Sequence, residues 1–435
     1  MPFVKHFDIY GNIVDIPEIM ITLSDYGAKG DGVTDDSQAI INCLDAQDYV
    51  IFPSGTYKIT KRIDFVNKKV MAIGNVTIYQ TSLGKIVFDN CVVTGLTFKT
   101  VDTNKAAVTT LNNGSTFYNC TFDVDFMGIE VGASNTSLVD CKFYGNGTAQ
   151  FGVWADDQVR LIEKLTIDNC YFERFWLNAI FAYANQLIIS NSRFVDNHLQ
   201  VTPTGGGQID VVKRDDDANY AQTIIDGCRI TGGNSSTSGI ETEAGSVIVT
   251  DCVITVPAAG IALQNTFNAV ISNNYIYGCA RGVHVTTECT FKLDGNRIIN
   301  NTAFDLRCEV AMTKDCIISN NQFTTTKELS ISFNNHVFNG KSYGNYPEFN
   351  NLNFIINSGQ ITFSRRNNRS AILKITNISR NLSAIYLLDG TAVYPINDHF
   401  GMLGADFTLT NDGSGNWTIS MITNKYLYGN ISSVL

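Results

Sequence analysis

Residues 117–122 read FYNCTF, and close variants of this six-residue stretch return along most of the chain. The others are FDNCVV (88–93), LVDCKF (138–143), IDNCYF (167–172), ISNSRF (189–194), IDGCRI (225–230), VTDCVI (249–254), ISNNYI (271–276), LDGNRI (293–298) and ISNNQF (318–323). Aligned, they form a column of Cys91, Cys120, Cys141, Cys170, Ser192, Cys228, Cys252, Asn274, Asn296 and Asn321. Two residues later a second column is apolar throughout: Val93, Phe122, Phe143, Phe172, Phe194, Ile230, Ile254, Ile276, Ile298 and Phe323. An Asn, Asp or Gly precedes the Cys column, as a tight turn requires.

A period slightly above 20 residues, made of strands and turns without helical spacing, specifies a β-solenoid. Its coils stack at about 4.8 Å, so like residues pile on like residues. One coil cannot bury its inward face alone, whereas a stack can. The Cys column reads as a ladder of small, packed thiols. With 11 cysteines in 435 residues, an odd number in a chain with a large core, reduced buried thiols are expected rather than a disulfide framework.

The formal net charge is −10 and the pI about 5.0. Lys and Arg form no basic stripe, which argues against a nucleic-acid partner. No apolar run is long enough to cross a membrane. Residues 1–17 lack the charged and apolar regions of an export signal.

Each coil carries a second strand: GIEV, GVWA, AIFAYA, QIDVV, GIETE, GIALQ, GVHVT and DLRCE. If the Ile, Val or Leu points inward, its neighbours point out. One outward column is then Glu130, Trp154, Phe181, Asp210, Glu241, Ala262, His284 and Arg307. A parallel column is Gly132, Asp156, Tyr183, Val212, Glu243, Gln264, Thr286 and Glu309. Three carboxylates, Asp210, Glu241 and Glu243, thus gather on one strip, beyond the aromatics Trp154, Phe181 and Tyr183. Exposed aromatics in a row suit stacking on sugar rings.

Glycoside hydrolysis needs one protonated and one ionised carboxyl group, and crowded like charges supply that asymmetry. Along a strand, Cα atoms two apart are about 6.7 Å from each other, and adjacent rungs about 4.8 Å. We expect Glu241 or Glu243 as acid and Asp210 as base. His284 is a candidate sugar ligand, and Arg307 suits a carboxylated sugar. Insertions at 156–164, 202–207 and 213–222 fall on the same side and are expected to wall a groove, bringing Asp156 and Tyr220 to the substrate. These residues call for no cofactor and no metal.

Residues 24–59, from the "DYGAKGDGVTDD" stretch through a short helix to "VIFPSGTYKI", resemble the opening of the pectate-lyase-like right-handed parallel β-helix superfamily. They are similar above all to its bacteriophage tailspike branch. No Gly-Lys-Ser/Thr makes these glycines a phosphate loop, and the calcium-loop spacing is missing. The residues themselves read as a helix cap, with Thr34 or Asp35 capping and Gln38 completing a capping box. Ala39, Ile40, Cys43 and Leu44 form the stripe that covers the open first coil. The resemblance implies a homotrimeric phage tailspike depolymerase that cleaves bacterial capsule or O-antigen outside the host, attached to another virion tail protein through its N-terminal segment. The polygalacturonase motifs and the calcium cluster of pectate lyases are absent, so the resemblance carries no residue-level mechanism.

The expected fold is all-β: a single-stranded right-handed parallel β-helix with a short N-terminal capping helix and a small C-terminal β-sandwich. Expected boundaries are 1–22 for a stem or attachment segment, 23–60 for the cap, 61–338 for the β-helix and 339–435 for the sandwich, with trimerisation or glycan binding as its expected role. Within the sandwich NDGSGN (411–416) reads as a hairpin turn. Rival readings are a polysaccharide lyase with His284, a Tyr or an Arg as base, a non-catalytic glycan-binding adhesin, and a secreted bacterial enzyme.

Overall fold

The computed structural model describes residues 21–309 except 82, 102–103, 156–161, 201–205, 213–221, 244, 265 and 288. It further describes 316–324 and the backbone of strands Phe3–Phe7, Ile13–Pro17 and those between Ile331 and Ser433. The chain winds as a right-handed parallel β-helix.

The turn that makes the coil is set by backbone sterics. Asn119 (φ 50°), Asp140 (φ 56°), Asn169 (φ 51°), Asn191 (φ 52°), Gly227 (φ 62°) and Asp251 (φ 52°), each just before the Cys column, lie in the left-handed region. So do Asn273, Gly295 and Asn320 in the last three coils. Only Gly, Asn and Asp enter this region readily, which is why those three residue types recur there. Each turn separates two short strands, as in Gln186–Ser190 and Arg193–Val195. A third strand, Asn178–Ala182 in that coil, completes the triangle. Corresponding strands of successive coils pair in parallel and in register.

The interior follows from this stacking. Phe98, Phe122, Phe143, Phe172 and Phe194 form a continuous stack with ring centroids 5.2, 4.4, 4.6 and 5.0 Å apart. Ile230, Ile254, Ile276 and Ile298 extend the column. All 11 cysteines are buried, and none is in a disulfide.

The thiol column changes chemistry near the end. Asn274 Nδ2 donates to Val249 O at 2.9 Å and to Asn296 Oδ1 at 2.9 Å. Asn296 Nδ2 donates to Ile271 O and Asn321 Oδ1, both at 2.8 Å. Each amide oxygen also accepts the N–H of the preceding rung. Buried amides persist here because every rung supplies the next one's partners.

The first rung of the column differs from expectation. Val93 pairs with Phe117, while Phe98 pairs with Phe122. Thr121 N donates to Leu96 O, so Leu96 stands under Cys120, and Cys91 lies one strand earlier, beneath Ser115. The stretches CVV and LTF both follow a left-handed residue, Asn90 and Gly95, and the register selects the second.

The cap is the helix Ser37–Ala46, with Ile40, Cys43 and Leu44 buried against the first coils and Ala39 partly buried beside them. Its N-cap residue is Asp36, rather than Thr34 or Asp35. The Asp36 carboxylate accepts the N–H groups of Lys29 (2.7 Å) and Gly30 (3.1 Å), tying the preceding glycine loop. Asp35 instead accepts from Ser37 and Thr60. Gln38 reaches Asn42, so no capping box forms.

Toward the C-terminus the pairing changes sense. Ile331–Ser332 pairs in parallel with Leu352–Ile356, which pairs antiparallel with Leu427–Ser433. Phe407–Asn411 and Asn416–Met421 pair antiparallel around the expected hairpin turn. The side-chain packing of the proposed sandwich lies outside the described residues.

Candidate functional site

The outward column exists rung by rung. Glu130 pairs with Trp154, Trp154 with Phe181, Phe181 with Asp210, and Asp210 with Glu241. Glu241 then pairs with Ala262, Ala262 with His284, and His284 with Arg307. Beneath them Ile129, Val153, Ile180, Ile209, Ile240, Ile261, Val283 and Leu306 are fully buried, and these hold the strip. Seven rung intervals of roughly 4.8 Å make the strip about 34 Å long.

At its centre Asp210 and Glu241 are half-buried neighbours. Gly207 leaves room for the Glu241 backbone, because a Cβ there would lie 2.9 Å from Glu241 N. Burial, then the charges of Glu241 and Glu243, push the Asp210 pKa up to about 8. Burial and the Glu243 charge raise Glu241 as well. Gln264 Nε2 donates to Glu241 Oε1, fixing that carboxyl. Glu243 N donates to Val211 O at 2.7 Å, which keeps Glu243 on the same ladder. The three acids thus share one face, where burial and crowding make both Asp210 and Glu241 reluctant to ionise.

Upstream of Asp210, Trp154 and Phe181 stack at 4.6 Å and 13°, both half-buried. Phe151 packs edge-on against Trp154 at 4.5 Å. Tyr183 departs from expectation: it is 4 % exposed and presents no open ring. It follows the end of strand Asn178–Ala182, where strict alternation no longer governs direction. Further upstream, Glu130 Oε2 accepts from Thr109 Oγ1 at 2.9 Å. Both line a cavity of about 200 Å³ with Lys85, Lys105 and Phe126.

Downstream, His284 Nε2 lies 3.0 Å from Glu309 Oε1, and Arg307 Nη2 lies 2.9 Å from the same oxygen. Burial lowers the His284 pKa, outweighing the Glu309 carboxylate. The Arg307 guanidinium lies over the Phe304 ring, 5.2 Å from its centroid. Asp156 and Tyr220, and most of the three insertions, lie outside the described residues. Among the described residues no group of His, Cys, Asp and Glu is arranged to hold a metal.

Two residues at the site escaped the pattern reading. Gln264 stands in the second column, yet its role depends on the neighbouring rung. Arg281 sits three residues before His284, in the opposite phase of strand alternation, yet its charge acts on His284.

Two family models match the chain. One, rhamnogalacturonase A/epimerase, pectate lyase-like, covers residues 20–83. The other, right handed beta helix region, covers 54–220 and 215–357. Among curated proteins none matches by sequence. The A-module of a mannuronan C-5 epimerase from Azotobacter vinelandii is similar in structure, with TM-score 0.52 and 16 % identity, covering 74 % of this chain and 98 % of that one. The catalytic unit of an α-1,3-glucanase from Streptomyces thermodiastaticus has TM-score 0.53 and 14 % identity, covering 76 % and 69 %. A tailspike capsular polysaccharide depolymerase from Acinetobacter baumannii bacteriophage Fri1 has TM-score 0.46 and 9 % identity, covering 97 % and 87 %.

Proposed function

We propose, from the premise that this chain belongs to the right-handed β-helix family, that it binds an elongated polysaccharide along the strip and cleaves it hydrolytically at Asp210, Glu241 and Glu243. The single observation that carries this reading is Asp210, a carboxyl kept protonated to about pH 8 directly beside other acids on an outward face. A neutral acid next to a carboxylate is the asymmetry glycoside hydrolysis requires.

The electrostatics favour a division of labour opposite to the one expected from sequence. Asp210 holds its proton at neutral pH and suits the general acid, placing that proton on the glycosidic oxygen. Glu243, whose charge helps to raise both neighbours, suits the base or nucleophile. Glu241, steadied by Gln264, supports either. Trp154 and Phe181 offer a stacked apolar face on the preceding rungs, where a sugar ring can lie flat. A strip about 34 Å long suits binding within a chain, hence endo cleavage.

The biological setting that fits is a phage tailspike acting outside the cell on capsule or O-antigen, as a homotrimer joined to the virion through the N-terminal segment. The DYGAKGDGVTDD opening supports this setting. The α-1,3-glucanase and the mannuronan epimerase show that polysaccharide-active proteins use this fold. A second reading, β-elimination, is favoured by His284, which burial holds neutral on the same strip and so available as a base.

The test is incubation with a panel of purified bacterial capsules and O-chains, scoring reducing ends for the native chain beside Asp210→Asn, Glu241→Gln and Glu243→Gln. Hydrolysis gives reducing ends without new ultraviolet absorbance, and the Asp210 variant loses at least 100-fold in rate. An unsaturated product identifies elimination. Tight binding with no cleavage identifies an adhesin. Full activity in all three folded variants places the chemistry elsewhere.

A further inference from the structure

Arg281 begins the strand Arg281–Val285 and pairs in register with Phe304. It is half-buried, and its Nε is buried without a hydrogen-bond partner among the described residues. Burial, and next the Arg307 charge, lower its pKa. A guanidinium in this position is costly unless an anion completes it. The nearby Glu309 does not do so, since its Oε1 already faces both His284 and Arg307. Among the described residues, with Arg281 and Arg307 positive, Glu309 negative and His284 neutral, the cluster carries one net positive charge.

His284 and Arg307 occupy the same outward column as the acids, and Arg281 stands three residues before His284 on the same strand. His284 lies two rungs beyond Glu241, roughly 10 Å away, and Arg307 one rung further. A bound polysaccharide crossing the acids would pass over it. Guanidinium groups recognise planar carboxylates through paired N–H bonds. The Phe304 ring under Arg307 fixes that side chain's plane.

We propose that Arg281, His284 and Arg307 form a subsite for the carboxylate of an acidic sugar, so that the polysaccharide recognised at this site is an anionic one. The assignment rests on the strip being a glycan site. It resolves an electrostatic difficulty, because a protein of net charge −10 with three acids at its centre otherwise repels an acidic polymer. The subsite supplies local attraction two rungs from the cleavage point, and the suppressed ionisation of Asp210 lessens the repulsion there.

The experiment uses the full chain on an array of purified bacterial polysaccharides, each acidic member paired with its carboxyl-reduced derivative. Binding and reducing-end release are scored separately. The expected result is that bound members carry uronate or sialate groups, and that carboxyl reduction weakens them at least 10-fold. Arg281→Gln should weaken the acidic members about 10-fold or more, weaken the reduced members much less, and melt like the native chain. Arg281→Lys should restore part of the loss. Tightest binding to a neutral member, no effect of carboxyl reduction, no binding to any member, or equal binding by a folded Arg281→Gln chain each overturns the subsite. Release of reducing ends from neutral members overturns the subsite and keeps the hydrolase. Carboxylate-dependent binding without release keeps the subsite and overturns the hydrolase.

Discussion

Asp210 and Glu241 are in-register neighbours on adjacent rungs of one parallel sheet, so the backbone ladder itself brings the two carboxyl groups together. Their closeness is set by the rung spacing of about 4.8 Å and not by a flexible loop. Like charges held at that spacing cannot both ionise cheaply, and the consequence can be measured in several ways.

The first is the pH profile. With Asp210 as the acid, kcat/KM should fall on the alkaline side with an apparent pKa near 8, and on the acid side as the base takes up a proton. Asp210→Asn should remove the alkaline limb and lower kcat by 100-fold or more while glycan affinity, read by calorimetry, stays within a few-fold. An alkaline limb unchanged in Asp210→Asn would contradict the assignment.

Stability should show the same group with a defined sign. The folded pKa of Asp210 lies above the ordinary value of 3.8, so the folded state binds more protons than the unfolded one between those limits. Stability from this group is complete below about pH 4 and is lost as pH rises toward 8. Asp210→Asn should therefore stabilise the chain at pH 8, on the order of a few kcal/mol, and change little at pH 4. Denaturant midpoints at both pH values decide this.

Trp154 and Phe181 form the stacked platform before the acids. Trp154→Ala should weaken glycan binding about 10-fold, near 1.4 kcal/mol, and should raise KM more than it lowers kcat. A kcat loss equal to that of Asp210→Asn would mean that the indole shapes the acid centre rather than a sugar subsite.

The coil turns give a prediction independent of function. Asn119 holds φ 50°, where an alanine pays roughly 1–2 kcal/mol and glycine does not. Asn119→Ala should lower the unfolding free energy by about that amount, and Asn119→Gly should leave it nearly unchanged. Equal effects would show that the amide side chain, rather than the backbone, secures the turn.

Much of this was readable from residues because a solenoid repeats its rules. Period-two alternation places Glu130, Trp154, Phe181, Asp210 and Glu241 on one face, and the pairing agrees at each step. The first rung was ambiguous because Val93 and Phe98 each follow a left-handed turn at the same offset, and only pairing with Phe117 and Phe122 separates them. Tyr183 was misread where its strand ends and alternation lapses. The raised pKa of Asp210 was beyond the letters altogether. It depends on how deeply each carboxyl sits and what surrounds it, and neither Asp210's burial nor Gln264's grip on Glu241 has a local sequence signal.

The Asn274–Asn296–Asn321 ladder has a directional consequence. Asn274 and Asn296 each donate to the next rung's amide oxygen, and all three amide nitrogens also donate to a backbone carbonyl of the rung before, so each rung is tied to its neighbours in both directions. Fraying that began at the C-terminal coils would break the contacts of Asn321 first and strand the Asn296 amide donor inside the coil, a cost of about 1–3 kcal/mol for a buried donor left unmet. The thiol rungs closer to the N-terminus are joined by weaker sulfur contacts, such as Cys228 N–H to Cys252 Sγ and Cys141 Sγ to Phe117 O, both at 3.4 Å, so the amide rungs should grip their neighbours more firmly than the thiol rungs do.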